Sequence, residues 1–72
     1  MKIGFIGLGN MARAIIGGML EKEIVSAGDI LGSAKTQKTL EAVGSEYGIR
    51  TMDSNVAVAS QAEVLILAVK PQ

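Results

Sequence analysis

Cysteine and histidine are absent from this 72-residue chain. Their absence excludes thiol chemistry, histidine acid–base catalysis and zinc sites built on these ligands within the chain. Seven basic and seven acidic residues give a formal net charge of zero, and the only aromatic residues are Phe5 and Tyr47. Because it has neither a basic stripe nor a set of stacking aromatics, we expect the protein not to bind nucleic acid.

Long apolar runs are also lacking. The N-terminal run is interrupted by Gly4, Gly7 and Gly9, and no apolar stretch approaches the ~20 residues that a membrane span needs. We therefore expect a soluble, cytoplasmic protein without a membrane partner. The chain is nevertheless 49% hydrophobic and near the lower size limit of a stable domain. We expect part of this apolar material to be buried against a second domain or subunit.

Short apolar runs alternate with segments of helical periodicity along the chain. The pattern predicts strands over 2–7, 29–32, 49–52 and 63–69, and helices over 10–22, 36–47 and about 53–60. Gly17 and Gly18 lie inside the first helix, where we expect them to allow close approach to the sheet. Nearly continuous apolar strands joined by helices indicate an α/β fold with a Rossmann-type parallel sheet and flanking helices. Doubly wound domains normally have more strands, so we expect residues 1–72 to be the N-terminal portion of one.

The strongest motif lies directly between the first strand and the first helix. It has the form G-x-G-x-x-A and is typical of dinucleotide-binding folds. The first glycine permits a tight turn, the second lets a pyrophosphate approach the backbone, and the alanine lets the helix pack on the strand. The helix N-terminus then faces the phosphates. The alternative is a tight turn that binds nothing. The candidate cofactor-binding residues are Gly7, Leu8, Gly9, Asn10, Met11 and Ala12.

The end of the second strand bears on the choice of cofactor. NAD-binding folds usually place an acid there for the ribose hydroxyls, whereas Asp29 is at the wrong end of the strand and Glu41 lies a turn into the helix. Ser33 can donate a hydrogen bond to a 2′-phosphate, and Lys35 or Lys38 can supply charge. These residues favour NADPH over NADH. The alternative is that Ser33 caps a helix and both lysines are solvated.

The end of the fourth strand supplies further candidates, because ligands of doubly wound sheets lie beyond the carboxyl ends of the strands. Backbone groups of Ala68, Val69 and Lys70 are expected to face the cofactor, although Lys70 is nearly as well explained as a surface lysine. Asn55 opens the short helix and is either a helix cap or a cofactor contact. Arg13 lies near the pyrophosphate position but is better explained as a solvated helix residue. No catalytic or metal-binding residue is identified.

The segments GFIGLGNMARAIIGGML (4–20) and ILAVKPQ (66–72) strongly resemble pyrroline-5-carboxylate reductase. The resemblance covers the whole chain and is least specific over 33–51. It implies hydride transfer from NAD(P)H to the C=N bond of 1-pyrroline-5-carboxylate, giving L-proline. It also implies that Ser33 meets the 2′-phosphate, that Asn55 contacts the adenosine end, and that residues 68–70 lie along the ribose and nicotinamide.

The same resemblance implies a C-terminal helical domain that holds the substrate pocket and forms a homo-oligomer, and this domain is absent from residues 1–72. The chain alone is therefore expected to be inactive. Two alternatives remain open. One is the N-terminal domain of a hydroxyacid or phosphogluconate-type dehydrogenase, which typically has glycine where Ala12 stands. The other is a non-enzymatic nucleotide-sensing module, which commonly keeps an acid after the second strand.

Overall fold

A computed structural model describes residues 1–69 of the chain. The strands and helices alternate, with a short 3₁₀ turn at Ala27–Asp29 before the second strand. The strands are β1 (Ile3–Ile6), β2 (Ile30–Ser33), β3 (Arg50–Met52) and β4 (Val64–Leu67), and the helices are α1 (Asn10–Glu21), α2 (Gln37–Tyr47) and α3 (Asn55–Gln61). All strand pairs are parallel, in the order β3-β2-β1-β4. The predicted Rossmann-type sheet with flanking helices is confirmed.

Local signals set the ends of the later helices. Thr36 caps α2 by accepting a hydrogen bond from the Thr39 amide over 3.2 Å. Gly48 ends that helix in the left-handed conformation, at φ 71°, which glycine adopts without a steric penalty. Ser54 caps α3 by accepting from the Ala57 amide over 3.2 Å. Thr36 and Ser54 satisfy amides that the helices leave unpaired. These two residues therefore fix the first residues of α2 and α3.

The helices lie on both faces of the sheet. Phe5 of β1 is buried in one core cluster with residues of α1 and α2. The neighbouring Gly4 faces α3, where an added Cβ would lie 2.7 Å from both Val58 Cγ1 and Ala62 Cβ. Because successive strand residues point to opposite faces, α1 and α2 cover one face and α3 covers the other. A side chain at position 4 would separate α3 from β1.

Two expectations differ from the structure. Asp29 belongs to the 3₁₀ turn, so β2 starts one residue later and continues through Ser33. The expectation that Gly17 and Gly18 face the sheet is wrong. A Cβ at Gly17 would meet the ring of Tyr47 on α2 at 3.6 Å, and one at Gly18 would meet nothing within 4 Å. Gly17 therefore accommodates a helix–helix contact.

Strand β4 forms one edge of the sheet within the described residues. Its apolar side chains Val64, Leu65 and Leu67 are exposed, Leu67 by 67%. An exposed apolar edge strand is normally paired or covered, since its free backbone groups promote association. No helix within residues 1–69 is long and apolar enough to cross a membrane.

Candidate cofactor site at the carboxyl edge of the sheet

The turn after β1 is held by backbone hydrogen bonds to both neighbouring strands. The Gly7 amide donates to the Ser33 carbonyl over 3.0 Å, and the Ala68 amide donates to the Ile6 carbonyl over 2.9 Å. Gly7 has φ 97°, and an added Cβ would lie 2.9 Å from Val69 Cγ1 and 3.1 Å from the Ala68 oxygen. The turn therefore requires glycine here for conformation and for space.

The start of α1 is open. Gly9 is its N-cap and provides no side-chain hydrogen bond, unlike Thr36 of α2 and Ser54 of α3. The amides of Asn10, Met11 and Ala12 have no carbonyl partner within the helix, because the first intrahelical bond runs from Arg13 to Gly9. A Cβ on Gly9 would meet nothing within 4 Å. This leaves space for an anion beside unpaired donors and the positive end of the helix dipole.

Two side chains of the motif belong to the core. Leu8 is 2% exposed and Ala12 is fully buried. Leu8 lies over Gly32 of β2, where an added Cβ would be 2.5 Å from Leu8 Cδ2. Leu8 therefore fixes the turn onto the sheet through its side chain, and only its backbone can face a ligand. Ala12 brings α1 close to the strands, which is the role that its position in the motif predicts.

A groove of about 780 Å³ runs from the glycine turn to the start of α2. This volume is within the range of small-molecule and cofactor sites. Arg13 and Lys35 lie along it, and no carboxylate among residues 1–69 lines it. Arg13 is half-buried, and its buried Nε has no hydrogen-bond partner within the described part of the chain. The groove is lined by Gly7, Leu8, Gly9, Asn10, Arg13, Ala34, Lys35, Thr36, Thr39, Ala68 and Val69.

A second cavity of about 420 Å³ adjoins the groove at the ends of β2 and β3. Ser33, 1% exposed, donates from Oγ to Asn55 Oδ1 over 2.5 Å. The helix cap is Ser54, so Asn55 is free of that role and its side-chain amide lies at the cavity. Asp53 lines the same cavity. Since Thr36 caps α2, the alternative in which Ser33 caps a helix is wrong.

Tyr47 lies at the end of α2, close to the Arg13 side of the groove. A hydrogen bond to the Glu46 carboxylate, together with partial burial and the Glu46 charge, raises the pKa of Tyr47 above 10.0. The charge of Arg13 acts in the opposite direction on this pKa. This opposing effect is consistent with Arg13 lying on the side of α1 that faces α2, since charges influence a pKa mainly over short distances.

Comparison with known proteins agrees with this geometry. The sequence profile of the family described as NADP oxidoreductase coenzyme F420-dependent matches residues 2–72. The chain belongs to this family. The description implies a nicotinamide dinucleotide as the class of cofactor. Among residues 1–69, no group of three or more acidic side chains could hold a metal ion.

Individual relatives of this chain carry a name that is more specific than the family description. A pyrroline-5-carboxylate reductase from Vibrio alginolyticus is 39% identical over 71 residues, which are 99% of this chain and 26% of that protein. One from Methanosarcina acetivorans is 38% identical with the same coverage. The solved structure of one from Coxiella burnetii has a TM-score of 0.89 at 34% identity, over 97% of this chain and 26% of that one. The predicted resemblance is confirmed, and the chain spans about a quarter of the length of these relatives.

The predicted site residues of this family member meet at one edge of the sheet. The main groove contains Gly7, Leu8, Gly9, Asn10, Lys35, Ala68 and Val69, and the second cavity adds Ser33 and Asn55. Met11 and Ala12 line neither cavity, so only their amides at the helix start are relevant. Lys70 lies outside the described residues.

Sequence reasoning undervalued Arg13. It also missed several residues that line the cavities, and the polar ones among them are Thr36, Gln37, Thr39 and Asp53. For Arg13, the available signal was the four-residue spacing to Gly17, which places both on one face of α1. For Asp53, the signal was its place directly after β3, at the same edge as the glycine turn. Neither signal reveals the neighbouring helix or strand that completes the site.

Proposed function

We propose that this chain is the NADPH-binding portion of a pyrroline-5-carboxylate reductase. The reaction is hydride transfer to the C=N bond of 1-pyrroline-5-carboxylate, giving L-proline. The observation that carries the proposal is the uncapped start of α1, which opens onto a groove without a carboxylate among the described residues. The shared name of the relatives at 38–39% identity supports the substrate.

The residues present fit a dinucleotide. Gly9 leaves open space where a side chain would stand, and the amides of Asn10, Met11 and Ala12 are free to donate to a pyrophosphate. Arg13 lines the same groove, and its guanidinium is a further donor group for a phosphate. An anionic ligand would replace water at these amides, with the positive end of the helix dipole in its favour.

Binding and orientation are the chain's contribution to the reaction. The bound nicotinamide cofactor supplies the hydride. The glycine turn holds the phosphates, while Ala68 and Val69 form the wall beyond β1 and β4. The hydrogen bonds that lock Gly7 to Ser33 and Ala68 to Ile6 keep this wall and the turn at a fixed separation. Such fixed placement is how a binding domain lowers the barrier of a transfer between bound partners.

The preference for NADPH over NADH rests on the end of β2. No carboxylate follows this strand before α2 begins, and the connecting segment contains Lys35. Ser33 and Asn55 form a hydrogen-bonded pair beside it. A 2′-phosphate would find donors and positive charge here, whereas a free ribose hydroxyl pair would lack its usual acid. Asp53 is the one opposing charge among the described lining residues, and it lies in the second cavity.

A further part of the protein completes the enzyme in this proposal. The exposed apolar side chains of β4 support a neighbouring strand or domain on that edge. The relatives are about four times as long as the matched region. We assign to this further part the substrate pocket and the contacts between subunits of a homo-oligomer. Residues 1–72 alone bind the cofactor and do not turn over substrate.

The test is a titration with NADPH and NADH by calorimetry, together with a reductase assay on 1-pyrroline-5-carboxylate, on the full-length protein that includes the further part proposed above. We expect tighter binding of NADPH and formation of L-proline. Absence of binding by both cofactors would overturn the nucleotide site. Binding without turnover of this imine, but with oxidation of a hydroxyacid, would favour the dehydrogenase alternative.

A further inference from the structure

Arg13 is the one described residue with a buried side-chain donor that has no hydrogen-bond partner within residues 1–69. Arginine remains charged at all physiological pH values and prefers planar, bidentate partners such as phosphate. A buried donor left unpaired is costly, and in native proteins such groups commonly indicate a ligand or an ordered water. Arg13 is therefore unlike a solvated helix arginine.

The surroundings of Arg13 indicate which part of a dinucleotide it meets. The groove brings it together with Ala34, Lys35 and Thr36, which connect β2 to α2, and with Thr39 in the first turn of α2. That connection is where a dinucleotide fold distinguishes a 2′-hydroxyl from a 2′-phosphate. The pyrophosphate, by contrast, is served by the open amides of α1.

The packing between the two helices favours this placement. Arg13 and Gly17 lie four residues apart and so share one face of α1. Gly17 faces the Tyr47 ring of α2, with 3.6 Å between an added Cβ and Tyr47 Cε1. The aromatic ring thus occupies the space one turn below Arg13. Helix side chains tilt towards the helix N-terminus, which is the direction of the groove that Arg13 lines.

We propose that Arg13 and Lys35, one from each wall of the groove, together bind the 2′-phosphate of NADPH. Arg13 is then a residue that determines the specificity for NADPH over NADH. This inference rests on the proposed function, since it assigns a role within the same cofactor site. Thr39 completes the arrangement as a neutral donor, because Thr36 donates its own hydroxyl proton to Thr39 Oγ1 over 2.9 Å and leaves the Thr39 proton free.

The experiment compares dissociation constants of NADPH and NADH for the native protein and its Arg13→Met and Arg13→Lys variants. Methionine keeps the apolar stem and removes the charge. We expect Arg13→Met to weaken NADPH binding by about 10- to 100-fold, the range for losing hydrogen bonds to a charged group. NADH binding should change by less than about threefold. Arg13→Lys should fall between Arg13→Met and the unmodified protein, because it keeps the charge and loses Nε.

The matched control is Arg50→Met, which removes an exposed arginine on β3 and should leave both constants unchanged. Equal weakening of NADPH and NADH by Arg13→Met would overturn the inference and assign Arg13 to the pyrophosphate. An unchanged NADPH:NADH ratio in both Arg13 variants would also overturn it. If Arg13→Met fails to fold, an unchanged ratio in Arg13→Lys alone is decisive against it. If the unmodified protein binds neither cofactor, the proposed function itself fails.

Discussion

Ser33 donates its hydroxyl proton to Asn55 Oδ1 over 2.5 Å, joining the end of β2 to the start of α3. Ser33 is buried, whereas Asn55 is exposed at the cavity. A serine hydroxyl has a single proton to donate, so in this arrangement the donors that face a ligand belong to the Asn55 amide group. Ser33 then acts on the ligand by orienting Asn55.

Replacing Ser33 by aspartate should reverse the cofactor preference. A carboxylate at this position would place a negative charge directly behind the Asn55 amide and repel a 2′-phosphate, whereas a ribose without that phosphate carries no charge to repel. We expect Ser33→Asp to weaken NADPH binding by about tenfold or more, with NADH binding retained or improved. Calorimetric titration of both cofactors measures the change. Ser33→Ala is the control, since it removes the hydrogen bond without adding charge and should cost about 1 kcal/mol of stability. Equal effects of Ser33→Asp on both cofactors would contradict the prediction.

A substitution at Gly9 should affect cofactor binding much more than folding. An added Cβ would meet no protein atom within 4 Å, so Gly9→Ala should reduce the free energy of unfolding by at most about 1 kcal/mol, the cost of a poorer N-cap. The same methyl group would occupy space that the phosphates need, and we expect affinity for NADPH and NADH to fall by about tenfold or more.

The comparison for Gly9 is Gly28→Ala in the 3₁₀ turn before β2, where an added Cβ also meets nothing within 4 Å. This variant should keep the cofactor affinity. Titration and thermal unfolding of the two variants measure the two effects separately. If Gly9→Ala binds both cofactors as well as Gly28→Ala does, the phosphates do not lie against α1.

Much of this fold follows from local patterns. The apolar runs around Phe5 and Ile66 indicate strands, although the second of these, β4, is largely exposed. Thr36, Gly48 and Ser54 are local signals for helix ends. The 3₁₀ turn at Asp29 was not predicted, because a short turn before a strand changes the hydrophobic period very little. The role of Gly17 was also missed, since it depends on Tyr47, thirty residues further along the chain.

Some residues of the candidate site were likewise predictable from local patterns, and others depend on residues distant in the chain. The spacing of the glycine turn from Gly7 to Ala12 is sufficient to predict a dinucleotide site. The structure places this turn at the carboxyl edge of the sheet, as expected. Arg13 was discounted because sequence alone does not show which face of α1 meets α2. The Ser33–Asn55 hydrogen bond joins residues 22 positions apart, and no local pattern reports such a pair.

Gly7 and Gly18 should respond oppositely to alanine. At Gly7, φ is 97° and the new methyl group would lie 2.9 Å from Val69 Cγ1. We expect Gly7→Ala to reduce the free energy of unfolding by about 2–5 kcal/mol, through backbone strain and overpacking. Gly18 is inside α1 with open space around it, so Gly18→Ala should raise stability by about 0.5–1 kcal/mol. Denaturant unfolding measures both changes. A neutral Gly7→Ala would show that the turn relaxes without cost.

The raised pKa of Tyr47 offers a test that needs no ligand. Its first cause is the hydrogen bond to Glu46, followed by burial and the Glu46 charge. Because the folded state holds the phenol proton more tightly, the resulting stabilisation is complete below pH 10 and is lost as the pH rises through the folded-state pKa. Tyr47 is the only tyrosine and tryptophan is absent, so absorbance near 295 nm follows this group alone.

Glu46→Gln should lower the pKa of Tyr47 towards 10.0, because the neutral amide removes the carboxylate charge and weakens the hydrogen bond. Glu41→Gln is the matched control, since Glu41 is an exposed acid of the same helix that does not contribute to the shift. Arg13→Met should raise the pKa further by removing the opposing cation. An identical titration curve for Glu46→Gln and Glu41→Gln would rule out the Glu46 contact. No rise in Arg13→Met would place Arg13 away from α2 and weaken its assignment to the groove.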